Sequence, residues 1–162
     1  MVGLAYVRYR TGVSGWSTAE EDKPVAQMEL LTKATAINPE YAFDYYVKSL
    51  LLWLAKQYPE AIEAAQTAVT LDPNAAYGYA AIGQAEFKLG RCEQSMGHIK
   101  QAVGLSPRDP LSGVWHMMLG LAEECLGRRD AAIVEFKRAI DAGYRPFIPY
   151  ALLAGLEAAK GN

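Results

Sequence analysis

The chain carries few residues whose types and spacing could do chemistry. His98 and His116 are its only histidines. They fall on different predicted helices, with no acidic or thiol neighbour at the spacing of a metal ligand set, and a lone helical histidine packs or faces solvent. Cys92 and Cys125 are its only cysteines. Neither belongs to a C-x-x-C pair, and neither has a neighbouring base to make it a nucleophile. Their unrelated positions in the chain's internal pattern predict free thiols in a reducing compartment. Glu123-Glu124 and Glu20-Glu21-Asp22 are acidic, but adjacent helical side chains diverge by about 100° and read as solvated surface. Arg128-Arg129 before Asp130 reads as a turn surface. No G-x-G-x-x-G follows a strand pattern, and there is no P-loop. These residues predict no catalytic centre, no metal site and no cofactor.

Bulk properties narrow the partners. The 162 residues suit one domain, and 51% are hydrophobic. Sixteen basic and 18 acidic residues are interspersed, for a net charge of −2. No basic stripe exists to hold nucleic acid. The longest apolar run, Leu50 to Ala55, is too short to span a bilayer, so no membrane partner is expected. The first ten residues lack the basic start and continuous apolar stretch of a signal peptide. The expectation is a soluble, cytoplasmic chain.

The elements must then be read from a period. Pro39, Pro73 and Pro107 stand 34 residues apart, and Ala34, Ala68 and Ala102 keep that interval. Past Pro107 the pattern slips by three: Gly83 recurs as Gly120, Gly90 as Gly127 and Ala102 as Ala139. His116 to Tyr150 and Leu119 to Leu153 then resume the 34-residue interval. The insertion falls in Pro-Arg-Asp-Pro-Leu-Ser-Gly, a connection, where extra residues do not rotate an apolar face.

The period predicts one array over 1–162: an atypical first unit with a long loop (1–41), units at 42–75 and 76–109, a unit with the insertion at 110–146, and a capping or truncated helix at 147–162. In the first complete unit a helix covers Tyr41–Lys56. The next starts at Pro59, a favoured first-turn proline, and stops at Asp72-Pro73. Gly90-Arg91 and Gly127 make the later internal turns, Asp109-Pro110 starts a helix, and Asp130 caps another. Gly143 suits the left-handed position after a helix. Pro24–Ile37 is a helix, Val2–Arg10 is its candidate partner, and Pro149–Lys160 is a final amphipathic helix. No segment alternates like a strand.

Two motifs, Tyr79-x2-Ile82-Gly83…Gly90…Ser95…Ala102…Pro107 and Leu119-Gly120…Gly127…Ala132-x3-Phe136-x2-Ala139, resemble the tetratricopeptide repeat. The resemblance extends over nearly the whole chain and implies an all-α fold: a right-handed superhelix of antiparallel helical hairpins with a concave binding surface. It implies a non-catalytic protein-interaction module. Lys48 and Ser49 depart from the pattern's Leu-Gly pair, and His116 from its first aromatic. Chaperone-binding members carry a two-carboxylate clamp of Lys, Asn and Arg. The matching positions here hold Tyr46, Leu50 and Ala81, so binding to an acidic chaperone tail is disfavoured. The run Leu105–Trp115 and the Gly15-Trp16 loop are also similar to the C-terminal repeat regions of bacterial class III nucleotide cyclases and winged-helix regulators. No cyclase catalytic motif is present. That similarity implies a regulatory or docking region of a signalling enzyme.

Splitting each first helix of a hairpin by angle gives a concave row: Phe43, Tyr46, Val47, Leu50 and Trp53, then Tyr77, Gln84, Phe87 and Lys88, then Met117, Met118 and Leu121. Aromatic and methionine side chains with few charges suit an apolar peptide or an amphipathic helix. Only Asp44 and Lys48 form a polar stripe on the first of these helices, at the i,i+4 spacing of an ion pair. An external protein partner fits the row, and so equally does cover from within or by self-association: the chain's own Val2–Arg10 or Trp16, or a second copy in a homodimer.

Overall fold

The computed structural model describes residues 24–144 and 147–159. Within them lie eight α-helices: α1 Pro24–Ile37, α2 Ala42–Leu54, α3 Tyr58–Leu71, α4 Ala76–Lys88, α5 Cys92–Leu105, α6 Ser112–Cys125, α7 Arg129–Asp141 and α8 Phe147–Ala158. No described residue is in a strand. Val2–Arg10, Trp16 and the acidic run at 20–22 lie outside the described residues.

Helices pair in the order of the chain. α2 packs on α3, α4 on α5 and α6 on α7, and each hairpin packs on the next through α3–α4 and α5–α6. The first helices of the hairpins, α2, α4 and α6, also touch one another. They form the inner layer of a right-handed superhelix of antiparallel hairpins. Three apolar clusters follow the axis, centred on Leu51 and Ile82, on Ile99 and Trp115, and on Phe136. The core is thus a chain of local cores, as expected where each unit contacts only its neighbours.

The same backbone device closes every hairpin. After α2, α4 and α6, the amide three residues beyond the helix end bonds back to a carbonyl five residues earlier: Gln57 to Leu52 at 2.9 Å, Arg91 to Glu86 at 3.0 Å and Arg128 to Glu123 at 2.9 Å. The residue before each amide must take a left-handed conformation. Gly90 (φ 74°) and Gly127 (φ 73°) do so, as their sequence positions predicted. Lys56 takes the same role in the first hairpin at φ 61°, although it carries a Cβ. Gly143 (φ 84°) ends α7 with the Tyr144 amide on Ala139 O at 2.9 Å.

Two helix starts differ from expectation. α7 begins at Arg129 after Arg128, which makes no side-chain cap bond, so Asp130 is not the cap. It sits in the first turn, where its charge still suits the helix dipole. α6 begins only at Ser112; Asp109 precedes it and accepts the Leu111 amide at 2.8 Å through Oδ1. The inserted residues are absorbed by this turn.

Close approach within each hairpin rests on one small residue. A Cβ on Gly83 would lie 2.6 Å from Ile99 Cγ1 and 2.8 Å from the Ser95 carbonyl oxygen. At Gly120 it would enter the Phe136 ring. Ser49 holds the corresponding place in α2 and is buried. The carbonyl at Gly83 belongs to α5 and can move only with that helix. Gly83→Ala is therefore expected to lower stability by about 1–3 kcal/mol in chemical denaturation. Lys56→Gly relieves a strained turn and is expected to raise stability by about 1 kcal/mol, read as a higher melting temperature.

Candidate functional site

The inner layer encloses a cleft of 110 Å³ lined by Tyr46 and Leu50 of α2, by Tyr77, Ala80, Ala81 and Gln84 of α4, by Leu111, and by Val114, Trp115 and Met118 of α6. Small side chains on α4 make its floor. Aromatic rings make one end: Tyr46 and Tyr77 lie 4.8 Å apart between centroids, and Phe43 meets Tyr77 edge-on at 5.6 Å. Offset and edge-on contacts of this kind hold rings rigid as well as buried. Burial, and secondarily the charges of Asp72 and Tyr41, raise the Tyr77 phenol above its ordinary value of 10.0, so it remains a neutral hydroxyl.

The angular reading of the helices sorts imperfectly onto this cleft. Tyr46, Leu50, Tyr77, Gln84 and Met118 line it, and Phe43 buttresses two of them. Val47 does not: it is wholly buried in the first cluster. Met117 is buried in the third, with Leu121 packed against the same cluster. Trp53, Phe87 and Lys88 are not among the lining residues. Trp53 instead meets Tyr58 of α3 at 6.4 Å and the Lys88 ammonium at 5.5 Å, tying the first hairpin to the second. Leu111 and Trp115 line the cleft without having been picked out. Leu111 sits within the inserted connection and Trp115 just beyond it, where the repeat phase is hardest to carry forward.

Polar groups beneath the surface are mostly paired between helices. His98 Nδ1 and Glu86 Oε2 are 2.7 Å apart, as are His116 Nδ1 and Glu135 Oε2. The histidines thus do have acidic partners, on the facing helix of the same hairpin rather than along one helix. Glu123, buried at the position equivalent to Glu86, faces Arg128 at 3.5 Å and Lys100 at 3.7 Å. Arg128 also reaches Glu93 of the preceding unit at 3.3 Å. No group of three or more possible metal ligands occurs among the described residues, and no described helix is long and apolar enough to cross a membrane.

Trp53 Nε1, Ser95 Oγ and Asp44 Oδ1 are buried without a hydrogen bond, and of these Asp44 alone is a carboxyl group. It is 1% exposed and its Oδ1 has no hydrogen-bond partner, while Lys48 points to solvent. The expected Asp44–Lys48 pair does not form. Burial raises the Asp44 carboxyl above its ordinary 3.8. A carboxyl whose folded value is raised contributes stability fully present below the unfolded value and lost as pH rises through the folded one.

The expected free thiols are overturned. Cys92 and Cys125 form a disulfide, with Cα atoms 6.4 Å apart, and no free cysteine remains. Cys92 opens α5 and Cys125 closes α6. Both lie at the hairpin-turn end of adjacent units, so their different phases within a unit bring them together across the stack.

Residues 46–110 match the family model of the tetratricopeptide repeat. That stretch carries the tetratricopeptide-repeat pattern, and the same hairpin geometry continues on either side of it. No curated protein sequence matches it significantly. Among solved structures it is similar to PilF of Pseudomonas aeruginosa (TM-score 0.84, 16% identity, 98% of this chain and 67% of that one). It is similar also to MamA of Desulfovibrio magneticus RS-1 (0.73, 16%, 99% and 85%). A third is the first repeat domain of Spaghetti (RPAP3) bound to the HSP90 peptide SRMEEVD (0.70, 18%, 75% and 94%). At these identities the likeness is one of fold.

Three outcomes follow from the geometry. Replacing both cysteines with serine opens a loop of 33 residues, which is expected to lower stability by roughly 3–4 kcal/mol in denaturant titrations run without reductant. Asp44→Asn is expected to raise the melting temperature at pH 7 and to give no gain below pH 3.8, because the charge it removes is absent there. Trp53→Ala is expected to lower stability, as loss of a packed aromatic and its cation contact does, by roughly 2–4 kcal/mol.

Proposed function

We propose that the chain is a non-catalytic interaction module whose inner cleft binds an apolar peptide or the apolar face of a helix from a protein partner. One observation carries this reading: the cleft joins three successive hairpins, and its only side-chain polar groups are tyrosine hydroxyls, the Trp115 indole and Gln84. A rigid aromatic wall with a small-residue floor supports insertion of one large apolar side chain, with Gln84 available to a peptide backbone. Rigid aromatic surfaces of this kind concentrate binding energy. The neighbour bound to SRMEEVD takes a peptide with two glutamates and a C-terminal aspartate. Here the clamp positions Tyr46, Leu50 and Ala81 all line the cleft and carry no charge, which supports an apolar ligand in place of an acidic one.

The disulfide supports a second point, about place. Such bonds persist where thiols are not kept reduced. We infer an oxidising compartment rather than the cytoplasm that the free-thiol expectation suggested. Thiol counting on protein isolated under alkylating conditions tests this: two blocked thiols per chain would defeat it.

A displayed-peptide library selected on the folded protein tests the cleft. Apolar sequences with an aromatic or branched anchor are expected. Gln84→Lys is expected to weaken them at least tenfold, since it places a cation among apolar walls, and to leave the melting temperature nearly unchanged. Selection of acid-terminated peptides, or equal affinity for the variant, would overturn the reading.

A further inference from the structure

The first complete hairpin carries lysine where the next two carry core residues. Lys48 corresponds to Ile82 and Leu119, which are 1% and 3% exposed. Lys48 is exposed, and the space that an aliphatic side chain fills in the other hairpins is open. A crevice of 240 Å³ lies on one side of it, between α1 and α2, lined by Met28, Leu31, Thr32, Thr35, Ala36 and Tyr45 together with Lys48. A second opening continues beyond Tyr45 and Lys48 along α3, past Leu52, Glu60 and Glu63.

The hydrogen-bond donors of the first crevice are already engaged, save one. Thr32 Oγ1 donates to Met28 O and Thr35 Oγ1 to Leu31 O, each at 2.9 Å, and the Tyr45 hydroxyl donates to Pro39 O at 3.0 Å. Among the described residues the Lys48 ammonium has no partner. Glu60 and Glu63 line only the further opening. An occupant is thus met by one cation, apolar walls and no other free donor. That matches a single negative charge on an apolar body. A dianion such as phosphate would lack further donors. The crevice is smaller than the ~300–1,000 Å³ typical of drug-sized ligands, which limits the body to a short chain.

We propose that this crevice binds a short-chain alkyl carboxylate, with its carboxylate on Lys48 and its chain directed toward Met28, Leu31 and Ala36. The site is separate from the inner cleft, with which it shares no lining residue. A carboxylate could come from a free acid or from the C-terminus of a peptide, and the proposal commits to the free acid.

The test is an NMR titration of the intact chain with three probes: hexanoate, its neutral analogue hexanamide, and N-acetyl-leucinate as a peptide-end mimic. Hexanoate is expected to shift the Met28 methyl and the Thr32, Thr35 and Tyr45 resonances saturably. Hexanamide is expected to bind at least tenfold more weakly. Lys48→Met, which keeps the length and removes the charge, is expected to abolish the difference between the two while leaving the helical spectrum and melting temperature intact. Absence of saturable shifts, equal binding of acid and amide, or binding of N-acetyl-leucinate alone would each overturn the proposal.

Discussion

Everything in this molecule depends on how closely the two helices of a hairpin can approach. At Gly83 and Gly120 there is no room for a single additional carbon, because the facing helix lays Ile99 or Phe136 directly on the backbone. That contact fixes the separation of the helices within each hairpin. It thereby sets the tilt at which the next hairpin stacks and the curvature of the inner face. The cleft is a by-product of this spacing. Its floor of Ala80 and Ala81 exists because α4 must present small side chains where it meets its neighbours on either side.

Much of this was legible because the constraint repeats. A 34-residue interval in proline, alanine and glycine reports the turn, the close contact and the helix end together, and α1 runs from Pro24 to Ile37 as read from sequence. Lys56 was not legible as a left-handed residue, since nothing about lysine signals that conformation; only its alignment with Gly90 and Gly127 does. The cleft was half legible. An angular split treats a helix as having one buried side, whereas α2 and α6 are wedged between neighbours on several. Val47 and Met117 were drawn into the core by that second contact. The disulfide was missed because positions were compared within a unit, when the relevant proximity runs between the start of one unit's second helix and the end of the next unit's first.

Charge is handled by the same geometry. Glu86 and Glu123 occupy equivalent buried places, yet one is met by a histidine of its own hairpin and the other by Arg128 and Lys100. A buried carboxylate without a partner is costly. The array has placed a partner side chain near each of these two, by different routes. Asp44 is buried with one oxygen that accepts no hydrogen bond. Its position in the first turn of α2 offsets part of that penalty through the helix dipole.

A stacked array behaves as a line of neighbours, each stabilised by the next, and it loses order from its ends inward. The Cys92–Cys125 bridge alters that behaviour at one junction only. It joins the second complete hairpin to the third, while the α3–α4 and α7–α8 junctions have no covalent link. Two hairpins therefore become a single cooperative block within a chain of weaker links. Pulled from its ends or fraying with heat, the molecule would shed α1 to α3 and α8 while the bridged centre persisted. Such a fold has a durable middle and yielding margins, and successive unfolding steps replace one sharp transition.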